Sequence, residues 1–151
     1  MALTQVPSGM LSPNTAGNGP AFSAYPSSSQ TGLTANVWTK VLFGTEEFDL
    51  NSNFASSRFT PTVAGYYQVA AAIQTLGVAP CQVMVATYKN GILYKVGQNP
   101  ATYSYGTNIT NLVFLNGSSD YLEIYAFIGI SGNLNGGGDN TYFQASLVRA
   151  A

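Results

Sequence analysis

The sequence predicts an all-β domain, a sandwich or a barrel, on three observations. From Pro20 onward, eight apolar runs of five to ten residues recur, each bounded by Gly, Pro or Asn. Two Asn-Gly pairs, Asn90-Gly91 and Asn116-Gly117, fall between runs, where a tight turn needs positive φ. Within several runs the apolar residues alternate, the period of a strand rather than of a helix.

The runs can be taken in order. AFSAY (21–25) and NVWTKVLF (36–43) are short and rich in aromatic or β-branched residues. YYQVAAAIQT (66–75) carries the alanines of a helix former, but its length and the flanking Gly65 and Gly77 mark a strand. On it Tyr67, Val69, Ala71 and Ile73 share one face. Tyr66, Gln68, Ala70, Ala72 and Gln74 form a small, polar opposite side that allows close approach of a neighbour. QVMVATYK (82–89) and ILYKVG (92–97) flank Asn90-Gly91 as a hairpin, and NITNLVFL (108–115) precedes Asn116-Gly117. In DYLEIYAFIG (120–129), Leu122, Ile124, Ala126 and Ile128 define the core face. The other face holds Tyr121, Tyr125 and Phe127 around Glu123, and an aromatic second face calls for a second apolar partner. TYFQASLVR (141–149) closes the series, and NGGGDN (135–140) reads as a loop.

Composition bounds the function. A length of 151 residues fits one domain with a substantial core. One cysteine, Cys81, forbids an internal disulfide, and its place beside Pro80 at a strand start suits a small buried side chain. No histidine is present, which removes the commonest general base and transition-metal ligand. Only 7% of residues are charged and the net charge is -1, against about 25% charged in an average soluble domain. Such a chain gives no electrostatic reason to bind nucleic acid or an anionic membrane. Its low charge suits life inside an assembly, or a rigid secreted β-domain.

The first nineteen residues carry no charge, and Val6, Met10 and Leu11 stand isolated among turn formers. This predicts an arm over 1–19 that anchors to a partner, ahead of a domain over 20–151. The arm has neither the basic start nor the apolar run of a usual signal peptide, and no stretch approaches the ~20 apolar residues of a membrane span.

The order Phe43, Asp49, Phe54, Phe59, Gly65, Tyr67 resembles the signature of the globular head of the first complement component (C-one-q), a fold shared with tumour necrosis factor. TPTVAGYYQV is similar to that family's Phe-x-x-Pro-x-x-Gly-x-Tyr strand, and YKNG to its Lys-Asn-Gly hairpin. LNGSSDYLEIYAF resembles its Gly-Asp-x-Val-x-Leu strand, and TYFQASLV its closing Phe-x-Gly-x-Leu strand. Departures are the shorter Phe54–Phe59 segment, Val69 in place of an aromatic, Gly117-Ser118-Ser119-Asp120 in place of Gly-Asp, and no collagen-like stalk. The first three point to a distant microbial or viral branch, and the last sets the chain apart from a complement-type role.

The resemblance implies a jelly-roll β-sandwich of about ten antiparallel strands that forms a homotrimer through aromatic strand faces. It makes Phe43, Phe54, Phe59, Tyr67, Leu122, Ile124, Phe143 and Leu147 core residues, and Tyr121, Tyr125, Phe127, Tyr66 and Tyr142 trimer-interface residues. Gly65 is then needed where backbone packs closely.

Catalytic and metal chemistry find little support. Glu46, Glu47 and Asp49 offer the oxygens calcium takes, but without EF-hand spacing they read as a solvated edge. Asp120, Glu123 and Asp139 would join them only if folding gathered them. The expectation is no enzyme, no cofactor and no metal. Asn108-Ile109-Thr110 and Asn116-Gly117-Ser118 match the glycosylation pattern by chance, and Trp38 with the tyrosines could form a sugar-binding patch but is expected to pack. Three functions follow: a trimeric capsid decoration (cement) protein on the outer surface of a tailed-phage virion, partnered by itself and a major capsid or other virion protein; a receptor- or glycan-binding fibre head; or a secreted adhesin or ligand head.

Overall fold

The computed structural model describes residues 19–77, 81–97 and 104–151. Among them every regular element is a strand: β1 Ala21–Tyr25, β2 Gln30–Leu33, β3 Thr39–Lys40, β4 Thr45–Asp49, β5 Phe54–Ala55, β6 Arg58–Phe59, β7 Gly65–Leu76, β8 Val83–Lys89, β9 Ile92–Gly97, β10 Gly106–Leu115, β11 Leu122–Ile128, β12 Gly132–Leu134 and β13 Tyr142–Ala150. The expected attachment residues Val6, Met10 and Leu11 lie outside the described residues.

Two antiparallel sheets form the sandwich. The larger runs β2-β12-β7-β13-β1-β4, with β10 on the other edge of β7. The smaller runs β5-β6-β11-β8-β9, with β3 also on β11. After β7 the chain enters the smaller sheet at β8 and β9, returns at β10, crosses again at β11 and comes back at β12 and β13. This alternation buries one face of each strand against the other sheet.

The core follows the alternation read from the sequence. On β7, Tyr67, Val69, Ala71 and Ile73 are buried, and on β11 so are Leu122, Ile124, Ala126 and Ile128. Phe43, Phe54, Phe59, Phe143 and Leu147 join them. Phe22 is the hub of the aromatic packing, with ring centroids 4.5 Å from Phe54, 4.6 Å from Phe59 and 4.8 Å from Phe143. Cys81 is buried and free. The Tyr67 hydroxyl donates to Val63 O at 2.7 Å, and burial raises its pKa to about 12.

Local chemistry fixes the turns. Asn90 and Gly91 sit at φ 54° and 77°, the left-handed pair that a two-residue hairpin between β8 and β9 requires. Asn116-Gly117 instead links strands of different sheets. Gly117 has φ 70°, while Asn116 Oδ1 accepts from the backbone N–H groups of Ser118, Ser119 and Asp120. Gly65 starts β7 against the backbone of β13: a Cβ there would meet Arg149 O, and Leu147 Cδ1 at 2.7 Å.

The structure corrects the sequence reading in two places. The run 36–43 is not one strand. Asn36 adopts φ 61°, and only Thr39–Lys40 pair as β3, although Asn36 N–H and Val41 N–H still reach Ile128 O and Ile124 O. Five short strands were not foreseen, namely β2, β4, β5, β6 and β12, because they carry few apolar residues. They take their geometry from neighbours instead: Gln30 donates to Lys40 O and accepts from Leu42 N, and Ser57 Oγ accepts from Phe43 N.

Candidate functional site

Two exposed faces compete as the functional surface. The outer side of the smaller sheet holds the aromatic set read from β11. Tyr125 stacks on Tyr88 at 4.0 Å, Trp38 lies 5.5 Å from Phe127 and 6.3 Å from Tyr88, and the Arg58 guanidinium sits 3.9 Å above the Tyr121 ring. Glu123 is buried at the centre. Its Oε1 accepts from Lys40 Nζ at 2.7 Å and from Arg58 Nε at 2.9 Å, and the Tyr125 hydroxyl approaches Oε2 at 3.5 Å. Burial pushes the Glu123 pKa up, but the hydrogen bonds and charges of Lys40 and Arg58 outweigh it and hold the carboxyl below the usual range. The Tyr125 hydroxyl is raised, first by burial and then by the Glu123 charge. Tyr121, Tyr125 and Phe127 are thus half-buried and have aromatic and cationic partners within the chain.

The outer side of the larger sheet is different. β10 pairs with β7 so that Phe114 lies opposite Tyr66 and Leu112 opposite Gln68. β13 brings Val148 to the same end, at the irregularity between Leu147 and Arg149. Tyr66 is 44%, Phe114 41%, Leu112 50% and Val148 49% exposed. Tyr66 and Phe114 meet edge to face at 5.4 Å, and Tyr66, Leu112, Val148 and the chain end line a 530 Å³ cleft. Ile92 and Tyr94 of β9 add exposed apolar surface next to this end, where the Tyr94 hydroxyl reaches Leu112 O, while Leu93 lies opposite Tyr88 on the other face. The other end of the face turns polar: Tyr142 is half-buried opposite Ala72, near Gln74, Asn108 and Asn140. Of the predicted interface set, then, Tyr66 lies within the apolar end, Tyr142 lies at the polar end, and the other three lie on the opposite sheet. Leu112, Phe114 and Val148, exposed at the same apolar end, were not singled out from the sequence. The signal for them was present, since NITNLVFL is apolar on both faces at its second half.

The carboxylates do not gather. Among the described residues no three metal-ligating side chains come together. Glu46 and Glu47 are exposed on β4, where Glu47 Oε2 accepts from Ser23 Oγ at 2.6 Å. Asp49 accepts from Phe54 N and Asn51 N and so fixes the turn before β5. Asp120 ties two loops together, accepting from Asn90 Nδ2, Asn116 N and Lys89 Nζ. Burial raises its pKa, but these partners prevail and lower it.

No protein-family model matches the sequence, and no curated protein matches it significantly. Solved structures do match in fold. The globular domain of a zebrafish complement 1qA protein aligns with TM-score 0.59 and 16% identity, covering 88% of this chain and 99% of that one. Murine APRIL aligns with TM-score 0.62 and 11% identity, over 85% and 98%. The PRD1 vertex protein P5 aligns with TM-score 0.62 and 15% identity, over 86% and 97%. At these identities the likeness shows the fold, a jelly-roll sandwich of the complement-head and tumour-necrosis-factor type.

Proposed function

We propose that this protein is a non-enzymatic homotrimeric head displayed on a virus particle, a capsid decoration protein of a tailed phage. The observation that carries the trimer is the exposed apolar end of the larger sheet, Tyr66, Leu112, Phe114 and Val148, continued by Ile92 and Tyr94. A patch of that kind on a chain with 7% charged residues calls for a partner, and a second and third copy supply one of the same chemistry. This places the threefold contact on the larger sheet, with Tyr66 retained from the sequence reading and Tyr142 at its polar rim. Tyr121, Tyr125 and Phe127 then serve as an internally packed wall.

The particle reading is supported by the charge-poor surface and by the fold shared with a phage vertex protein. Attachment would use the uncharged residues 1–19, with Val6, Met10 and Leu11 as anchors, and three tethered copies would act together. Light scattering on the purified protein tests the trimer: a monomer at micromolar concentration refutes it. Co-sedimentation with capsids from the same source tests attachment, and failure to bind any capsid form refutes decoration.

A further inference from the structure

A pocket of 440 Å³ opens at the edge of the smaller sheet, between β3 and the β5–β6 hairpin. Lys40 and Arg58 line it, together with Ser52, Asn53, Ser56 and Thr60. We propose that this pocket binds a carboxylate-bearing saccharide.

The charge argument comes first. The chain has only five Lys and Arg residues, and two of them line this pocket without any carboxylate in its wall. Their shared counter-ion, Glu123, sits behind them, buried, and takes both cations on one oxygen. Two positive charges against one negative charge leave the pocket wall cationic. Arg58 gives Nε and the adjoining Nη2 hydrogen to Glu123, which leaves the end-on pair, an Nη1 hydrogen and the outer Nη2 hydrogen, for another acceptor. Its guanidinium plane is held by the Tyr121 ring, so the fork is presented in a fixed orientation. A planar fork of this kind pairs with a carboxylate through two parallel bonds. Lys40 is fixed in the same way by Ser56 O at 3.0 Å and Glu123 Oε1.

The lining selects the rest of the ligand. Three hydroxyls and an amide around the cations suit a polyol, and the volume exceeds what a bare inorganic anion fills. Ser56 and Ser57 form the β5–β6 turn at φ 51° and 59°, and Ser57 Oγ is bonded to both N and O of Phe43. The turn is therefore pinned, and the wall is formed before any ligand arrives. The pocket lies at the β5 edge, whereas the proposed threefold contact lies on the larger sheet and beside β9, at the far edge. Assembly leaves it open, and the inference does not depend on attachment to a particle.

The test is calorimetric titration of the intact protein with sialyllactose, with a uronic-acid disaccharide, with lactose, and with sulfate. The expected result is saturable binding of at least one acidic sugar, weakened by salt and absent for lactose. Arg58→Gln should weaken it by about tenfold or more, since a charge-assisted contact is lost. Thr60→Val, which keeps the side-chain shape, should weaken it with the fold intact, and Arg149→Gln should leave it unchanged. Binding that survives both pocket variants overturns the proposal, as does failure of both acidic sugars at about 10 mM, a concentration that would detect even weak sites. Sulfate bound as tightly as the sugars would mean an anion site only, and equal binding of lactose would remove the role of the cations.

Discussion

Leu112→Asp should convert the proposed trimer to monomer, whereas Tyr125→Asp should not. Leu112, Val148, Tyr66 and Phe114 are each roughly half exposed in the single chain. Covering the remaining half of such a side chain is worth about 1 kcal/mol. With Ile92 and Tyr94 the sum is about 6 kcal/mol at each interface and about 18 kcal/mol over three. Bringing two further copies to the first costs about 4–15 kcal/mol each, so the surplus is thin. A buried unpaired carboxylate costs several kcal/mol, and symmetry applies it three times. Light scattering across micromolar concentrations should therefore read one chain for Leu112→Asp, with a melting temperature close to that of a monomeric control. Tyr125 stacks on Tyr88 beside Glu123, so an Asp there places two carboxylates together. It should lower the melting temperature while the chains still associate. The opposite pattern, an associated Leu112→Asp and a dissociated Tyr125→Asp, would return the axis to β11 and refute the assignment of the larger sheet.

Glu123→Gln should cost about 2 kcal/mol at neutral pH, below the usual range for a broken buried pair because Arg58 is half exposed. The folded carboxyl is depressed, so its contribution is complete above the ordinary value of 4.5 and is lost as pH falls through the lowered value; chemical denaturation should show the variant gap closing in acid, and a gap that widens there contradicts the ion-pair account. Gly65→Ala should cost about 2 kcal/mol and about 6 °C in melting temperature, because the added methyl meets Arg149 O and the Leu147 side chain; an unchanged melting curve would show that β13 gives way freely. Removing residues 1–18 should leave melting and association unchanged and abolish co-sedimentation with capsids, and a truncated protein that dissociates would make the segment part of the oligomer instead.

The long strands were legible because each one contains its own evidence. β9 matches its sequence run residue for residue, and β7, β8, β10, β11 and β13 differ only at their ends. Their alternation is a property of a single segment facing a single core. The short strands were not legible for the converse reason. TEEFD has one large apolar residue, and β4 exists because Ala21–Tyr25 offers it a paired edge. The β5–β6 turn places serines at positive φ, where glycine or asparagine would have signalled it. The aromatic face of β11 was read as needing a second apolar partner, and within the chain Trp38, Tyr88 and Arg58 pack against it. Trp38 and Tyr88 are distant in sequence and reach that face only through the pairing of β8 and the course of the chain before β3. The pocket of Lys40 and Arg58 was invisible for the same reason, since its two cations lie on different strands beside β11.

In the proposed trimer the paired charges act inside each chain. Lys40, Arg58 and Glu123 fasten β3 and β6 to β11, while Lys89 and Asp120 fasten the β8–β9 hairpin to the loop after β10. These charges are internal fasteners and contribute little to surface repulsion. Protection against strand addition comes from another device. β10 is an edge of the larger sheet, and its carbonyls at Leu112 and Phe114 accept from the Tyr94 hydroxyl and from Lys89 Nζ. At these two positions the edge has its acceptors occupied and is a poorer template for another strand. What remains exposed at that edge is side chain: Leu112, Phe114, Tyr66 and the tip of β9. Association through side-chain faces has a defined geometry and can close around an axis, whereas backbone pairing at an open edge extends without limit. In the proposed trimer the two capped carbonyls and the apolar face act together: backbone pairing is hindered at Leu112 and Phe114, and the side chains there are left for copies to share.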